Sequence, residues 1–327
     1  MSKKQAFGPG AISRLRLYVQ FFFFGLLLYG GFFVNALAEN QAQHPTIQGK
    51  ALDLVKLADS ASPVVLPNTT CIYQKEGLCR GCSLYFLTDA LQWRKPIETW
   101  LGTGLLLLLF MLLGGRLWCG WACPLGLISD LFTKLREKLG LPQRRLSRGW
   151  REGLVWTKYV LLLAALGIAW ASSFDGLEGF RTDTVDPFCQ ICPARIFAPF
   201  FTFDAVCWTN LKNPAGVIFT SLGFLAFASF FVGLFIRRFW CRLCPIGGLS
   251  AGFNRSGLVS LVKDGSRCTR CGSCARVCPL DVQRVYEARG RGTVTSFECH
   301  LCLRCVEACP EEDCLRFEWL GKKVVGS

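Results

Sequence analysis

The chain has 327 residues, 51% of them apolar and 18% charged, with 37 Lys and Arg against 23 Asp and Glu and a formal charge of +14. That balance excludes disorder, collagen and a plain coiled coil, and 19 cysteines are too many for an ordinary cytosolic enzyme in a chain far too long for a small disulfide-stapled domain. Two histidines, His44 and His300, are too few for an intramembrane bis-His haem, which leaves iron held by thiolate as the expectation.

Four apolar runs predict membrane helices: Leu17 to Leu37, Thr99 to Leu117, Val155 to Ser172 and Ala215 to Ile236. Each approaches the roughly 20 residues that a hydrocarbon core of about 30 Å requires. Ala36-Leu37-Ala38 also fits a signal-peptide cleavage site, but the first run has full spanning length and favours a retained helix. A shorter run, Ile196 to Trp208, carries Asp204 and reads as interfacial or re-entrant. Lys and Arg orient the spans. Lys3, Lys4, Arg14 and Arg16 precede the first, and Arg116, Lys134, Arg136, Lys138, Arg144, Arg145, Arg148, Arg151 and Lys158 fill the connection between the second and third. The connection between the third and fourth has only Arg181, Arg195 and Lys212 against a larger number of acids. Both termini are therefore expected in the cytoplasm, and the net charge reads as topology, with no nucleic-acid partner. Lys158 is expected to snorkel, although with Glu98 it also stands where a quinone could bind. Tryptophans such as Trp118, Trp121, Trp150, Trp156, Trp170 and Trp240 read as interfacial anchors.

The cysteines follow the spans in order. Cys79 and Cys82 precede span two, which ends in Trp118-Cys119-Gly120-Trp121-Ala122-Cys123-Pro124; Cys189 and Cys192 precede span four, which ends in Trp240-Cys241-Arg242-Leu243-Cys244-Pro245. This order repeats, as in a parallel internal duplication. It would gather Cys119, Cys123, Cys241 and Cys244 at the cytoplasmic face as a candidate third cluster site. Cys79, Cys82, Cys189 and Cys192 would gather on the outer side, as a metal centre or as dithiols and disulfides, with Cys71 and Cys207 a further pair.

Beyond these lie two copies of C-x2-C-x2-C-x3-C-P: Cys268, Cys271, Cys274 and Cys278, then Cys299, Cys302, Cys305 and Cys309. That run is the pattern of bacterial two-cluster ferredoxins, in which the cysteine before proline ligates the other cluster. Cys268, Cys271, Cys274 and Cys309 are thus expected on one [4Fe-4S] cluster and Cys299, Cys302, Cys305 and Cys278 on the second. A zinc ribbon has no use for the third cysteine of each run. Gly272 would let the loop wrap closely. Segments Asp281 to Tyr286 and Cys314 to Trp319 suit short strands, with Cys314 a buried thiol and His300 at the surface.

The expected fold class is an α-helical integral membrane protein with four transmembrane helices over 1–250, followed by a C-terminal α+β two-[4Fe-4S] ferredoxin domain over 263–320. The two W-C…C-P motifs followed by a tandem ferredoxin resemble the NapH, MauN and NosR group of inner-membrane polyferredoxins. The second motif departs from the group in spacing its cysteines C-x2-C. The resemblance implies an electron-transfer subunit in a bacterial inner membrane, linking cytoplasmic donors or the quinone pool to a periplasmic redox system. It would work with other redox proteins and would not be a complete enzyme. A maturation factor for a periplasmic metalloenzyme and a transmembrane thiol-disulfide relay are the alternatives.

Overall fold

The computed structural model describes residues 10–42, 67, 82–91, 97–174, 187–202, 214–255 and 258–327. His44, Cys71, Cys79, Asp204 and Cys207 lie outside the described residues. Its α-helices ahead of the tail are, in chain order, α1 (Ala11–Ala42), α2 (Ser83–Leu91), α3 (Ile97–Gly114), α4 (Leu117–Trp121), α5 (Pro124–Lys138), α6 (Arg148–Ala171), α7 (Pro187–Ile191), α8 (Ala194–Thr202), α9 (Pro214–Phe231), α10 (Phe239–Leu243) and α11 (Pro245–Ala251), and short helices Ser273–Val277, Arg284–Glu287 and Arg304–Glu307 follow in the tail. The chain divides into two compact units, one formed by Met1–Phe21, Leu109–Lys158 and Gly233–Ser327, the other by Phe22–Leu108 and Tyr159–Val232.

Among the described residues, three helical stretches are long and apolar enough to cross a membrane: Ala11–Gly30, Arg148–Ala171 and Gly216–Leu234. Phe22, Leu163 and Leu225 on them are 64%, 68% and 67% exposed, a cost that only a lipid solvent removes. The second expected span is shorter than the sequence suggests. Its helix α3 stops at Gly114, and its apolar stretch is Trp100–Gly114. Gly115 turns the chain with φ +49°, and the backbone N–H of Arg116 is captured by Asn254 Oδ1 at 2.8 Å. The 18 residues of α3 reach about 27 Å at 1.5 Å per residue.

In the second unit, α7 and α9 pack so closely that a Cβ on Gly223 would lie 2.9 Å from the Gln190 carbonyl. Phe197 on α8 sets its ring 4.9 Å from those of Phe227 and Phe230. The run Ile196 to Trp208 thus begins within a nine-residue helix, α8.

In the other unit, a four-stranded antiparallel sheet has the order β2-β1-β3-β4, with β1 Val259–Lys263, β2 Gly292–Thr293, β3 Leu315–Trp319 and β4 Lys322–Gly326. The strand expected near Cys314 is β3, whereas Asp281 to Tyr286 is a turn leading into the helix Arg284–Glu287. Asp281 takes φ +53° and breaks any extended run there. The sheet also draws on residues outside 263–320, since β1 pairs along β3 from Val259↔Trp319 to Lys263↔Leu315. Its core joins Val259, Leu261, Val306, Leu315 and Phe317 to Ile12 from the first turn of α1. Ser13 in that turn donates its N–H to Glu307 Oε1 at 3.1 Å, and its hydroxyl bonds the same carboxylate. Glu307 therefore satisfies an orphan donor at the positive end of the helix dipole.

Lys263, 2% exposed, donates Nζ hydrogens to the carbonyls of Val285 at 2.9 Å, Tyr286 at 3.2 Å and Ala288 at 2.8 Å. Lys263→Met leaves these acceptors without their charged donor, an expected cost of about 3 kcal/mol. Visible iron–sulfur absorbance should then bleach at a clearly lower temperature on heating; bleaching alongside the parent would show that this ammonium does not hold the domain.

Candidate iron–sulfur sites

The eight cysteines of the tail line two cavities. Cys268, Cys271, Cys274 and Cys309 line one with Cys314, and Cys278, Cys299, Cys302 and Cys305 line the other, which Cys274 also borders. Matching loop geometry does this. In the first loop Arg270 and Gly272 flank Cys271 with φ +57° and +73°; in the second Leu301 and Leu303 flank Cys302 with φ +48° and +59°. Left-handed leucine costs about 1–2 kcal/mol, and burial of both side chains, 1% and 5% exposed, holds it in place. Cys278 Sγ accepts the N–H of Val282 at 3.3 Å, the bond expected around a cluster thiolate. Among the described residues no three His, Cys, Asp or Glu side chains converge on the position of a single ion. Zinc would draw all its thiolates to about 2.3 Å, while a cubane gives each of four thiolates its own iron, and the donor set of at least four thiols around each cavity suits it.

The two tail sites differ in exposure. Cys271 is exposed, and its hydrogen bonding with Ser273 holds the thiol below the usual range. Burial pushes Cys278 up to about 11 and Cys299 to about 12, and holds Cys305 well above the usual thiol range. Cys314 is buried as expected, with Sγ 3.6 Å from the Asp264 carbonyl oxygen. His300 is not at the surface: it is 2% exposed, enclosed because its backbone packs on Gly120. Burial first, then the charges of Arg238 and Arg116, hold it well below the usual histidine range.

Cys119, Cys123, Cys241 and Cys244 form a third set, close enough for their charges to interact. Burial, reinforced by the neighbouring thiols, raises Cys241 to about 11 and Cys244 further, so protons leave these thiols when a metal replaces them. Cys123 and Cys244 occupy the N-caps of α5 and α11, with φ/ψ of −70°/122° and −63°/117° and proline next in each. The unequal cysteine spacing is absorbed locally: the N–H of Cys123 reaches back five residues to the Trp118 carbonyl at 3.0 Å, that of Cys244 four residues to Trp240 at 2.9 Å. A Cβ on Gly126 would meet the Cys119 carbonyl at 3.0 Å and the Arg238 guanidinium at 3.6 Å; one on Gly247 would meet Arg116 Nη2 at 3.0 Å and the Cys241 carbonyl at 3.7 Å. The arginine of each motif thus rests on the glycine of the other.

This third set adjoins the second tail loop. A Cβ on Gly120 would lie 2.3 Å from the His300 carbonyl oxygen, so the backbone between Cys119 and Cys123 touches the backbone between Cys299 and Cys302. Arg242, between Cys241 and Cys244, donates to the carbonyls of Pro279 at 3.0 Å and Leu280 at 3.1 Å and to Asp281 Oδ2 at 2.8 Å, just beyond Cys278. Trp121 Nε1 donates to the Leu301 carbonyl at 3.0 Å. Trp118 bonds the Phe110 carbonyl and Trp240 is 6% exposed, so these three tryptophans are packing residues; Trp150 and Trp156 remain 71% exposed, as anchors should.

Two buried ionic hubs complete the contact, and sequence reasoning missed both. Asp130 faces Arg238 at 2.6 Å, Arg304 at 3.3 Å, Arg16 at 3.4 Å and the Gln20 amide at 3.3 Å. Glu298 faces Lys158 at 2.6 Å and Arg116 at 3.1 Å. Lys158 is fully buried and does not snorkel. With Arg116 and Arg136, 1% and 4% exposed, it serves packing as well as topology. The signal was the repeated Arg-x-Trp-Cys at Arg116 and Arg238, where an arginine precedes each cysteine pair at the same distance. Of the outer set, Cys82 and Cys192 are buried and Cys189 is half-buried.

Comparison with known proteins agrees with this geometry. The signature of a 4Fe-4S binding domain matches residues 98–142 and 218–263, and that of a 4Fe-4S dicluster domain matches residues 260–310. The chain is 31% identical over 221 residues to the ferredoxin-type protein NapH of Haemophilus influenzae, covering 65% of this chain and 66% of that one. It is 30% identical over 220 residues to the methylamine utilization ferredoxin-type protein MauN of Methylorubrum extorquens, 64% of each. With the regulatory protein NosR of Pseudomonas aeruginosa it shares 30% identity over 207 residues, 62% of this chain and 25% of that one.

The chain is a relative of the NapH, MauN and NosR ferredoxin-type proteins. It is a membrane protein that carries 4Fe-4S clusters, which bring one-electron chemistry. The matched segments span less than two thirds of NapH and MauN and a quarter of NosR, so the activities of those whole proteins do not pass directly to this one. No solved structure matches the chain.

Proposed function

We propose that this protein is a membrane-bound electron-transfer subunit holding three 4Fe-4S sites: Cys268, Cys271, Cys274 and Cys309; Cys278, Cys299, Cys302 and Cys305; and Cys119, Cys123, Cys241 and Cys244. The backbone contact at Gly120 carries the reading, because it sets the third cysteine group directly against the second. Exposed Cys271 gives the first group a face for a soluble redox protein. Around the third group, Arg116 and Arg238 offset the charge of buried thiolates, which would otherwise be prohibitive. The 4Fe-4S signature over both W-C…C-P motifs supports the assignment and the internal duplication.

In this reading α3 is the fourth crossing, the termini face the cytoplasm of a bacterial inner membrane, and the chain joins cytoplasmic donors or quinone to a periplasmic redox system. Burial of Cys82 and Cys192 favours a closed outer centre over thiols that exchange with a partner.

Anaerobic purification with iron and sulfide counting tests the proposal. Three cubanes require about twelve irons per chain, falling to about eight when Cys119 and Cys241 are both replaced by serine. A parent that already holds about eight, unchanged in that variant, removes the third site.

A further inference from the structure

In the unit that contains the tail, a cavity of about 430 Å³ lies between the first turns of α6, the segment after Cys278 and the segment before Cys299. That volume falls within the range of small-molecule sites, about 300–1,000 Å³. One side is apolar, formed by Val155 and Trp156 on a spanning helix.

The opposite side holds more donors than acceptors. Its carboxylates are largely engaged: Glu152 with Arg148 at 2.9 Å, Asp281 with Arg242 at 2.8 Å, and Glu298 with Lys158 and Arg116. Glu287 stands exposed at the rim. Arg151 and Arg284 reach no carboxylate among the described residues; Arg151 donates to the Asp281 carbonyl at 2.8 Å. Arg242 is 5% exposed and its guanidinium is already engaged by the Pro279, Leu280 and Asp281 oxygens. Arg151 and Arg284 therefore hold the charge of this wall that no carboxylate among the described residues answers, a place for an acid that arrives from outside.

We propose that this cavity binds the phosphate of an anionic phospholipid. The phosphate oxygens accept from Arg151, Arg284 adds charge at the rim, and the acyl chains follow Val155 and Trp156 along the outside of α6. Unpaired guanidinium charge selects an anion over a neutral amphiphile. The apolar wall on a spanning helix selects a lipid over free phosphate. The site does not depend on where the clusters bind, and its occupant would fasten the Leu280–Val282 segment to the membrane surface.

The test uses the iron-loaded, full-length protein in an uncharged detergent, with phosphatidylglycerol, phosphatidylcholine and inorganic phosphate as probes. Native mass spectrometry should show one phosphatidylglycerol retained per chain, and the melting temperature should rise with phosphatidylglycerol alone. Arg284→Glu, at an exposed rim position, should weaken that binding about 30-fold, the effect of two charges near an anionic headgroup. Arg151→Gln should weaken it as well, and unchanged iron content controls for folding. Equal retention of phosphatidylcholine, full stabilisation by inorganic phosphate, displacement by an uncharged quinone analogue, or parent-like binding by both variants would each overturn the proposal.

Discussion

Replacing Gly120 by alanine is expected to push the second cysteine loop of the tail away from the Cys119 backbone. The new methyl would sit 2.3 Å from the His300 carbonyl oxygen, and both partners are backbone, so neither can yield by changing rotamer. Overpacking of this kind costs about 1–3 kcal/mol. Slower electron exchange between membrane and tail sites should accompany it, with weaker magnetic coupling between the reduced centres in EPR spectra. Gly153→Ala is the control, because a Cβ there meets nothing within 4 Å and alanine favours a helix. Parent-like coupling in Gly120→Ala would mean that the contact does not set the distance between the sites.

The second large effect is expected at Asp130. Asp130→Ala leaves Arg238, Arg16 and Arg304 buried around an absent carboxylate, and breaking a buried pair from one side costs about 3–5 kcal/mol. Burial alone would raise this carboxyl, but Arg238, with Arg304 and Arg16, outweighs it and holds the group well below the ordinary range. A depressed folded-state value makes the contribution complete above the unfolded pKa of about 3.9 and progressively lost as pH falls through the folded value. The parent should therefore show no loss from this group between neutral pH and about pH 5, then an acid-driven fall in melting temperature. The variant should melt far lower at neutral pH and lack that part of the acid limb. Asp130→Asn keeps the size without the charge and should fail similarly. Variants that melt with the parent would show that Asp130 is not the hub.

The tail was the most legible region because three cysteines in a seven-residue loop can serve little except a cluster, and the 4Fe-4S dicluster signature covers both loops. The membrane motifs were legible as a repeat. Their unequal spacing is reconciled by a backbone detail, the five-residue reach from Cys123 to Trp118, that no residue pattern reveals. Hydropathy located three helices long and apolar enough to span but overran the second expected run, since Leu117 continues the apolar run while Gly115 and Asn254 end the helix. Charge counting treated Arg116 and Lys158 as surface markers. Their partner lies 182 and 140 residues away, and a pairing over that separation is invisible to local pattern.

That separation has a consequence for how the molecule is made. Translation delivers Arg116 and Lys158 long before Glu298 leaves the ribosome, so the growing chain carries both cations before the carboxylate that joins them is made. Glu298 immediately precedes Cys299, which ties this ionic closure to the setting of a cysteine loop. A newborn chain that fails to fold its tail is thereby left without the carboxylate that Arg116 and Lys158 share in the finished molecule.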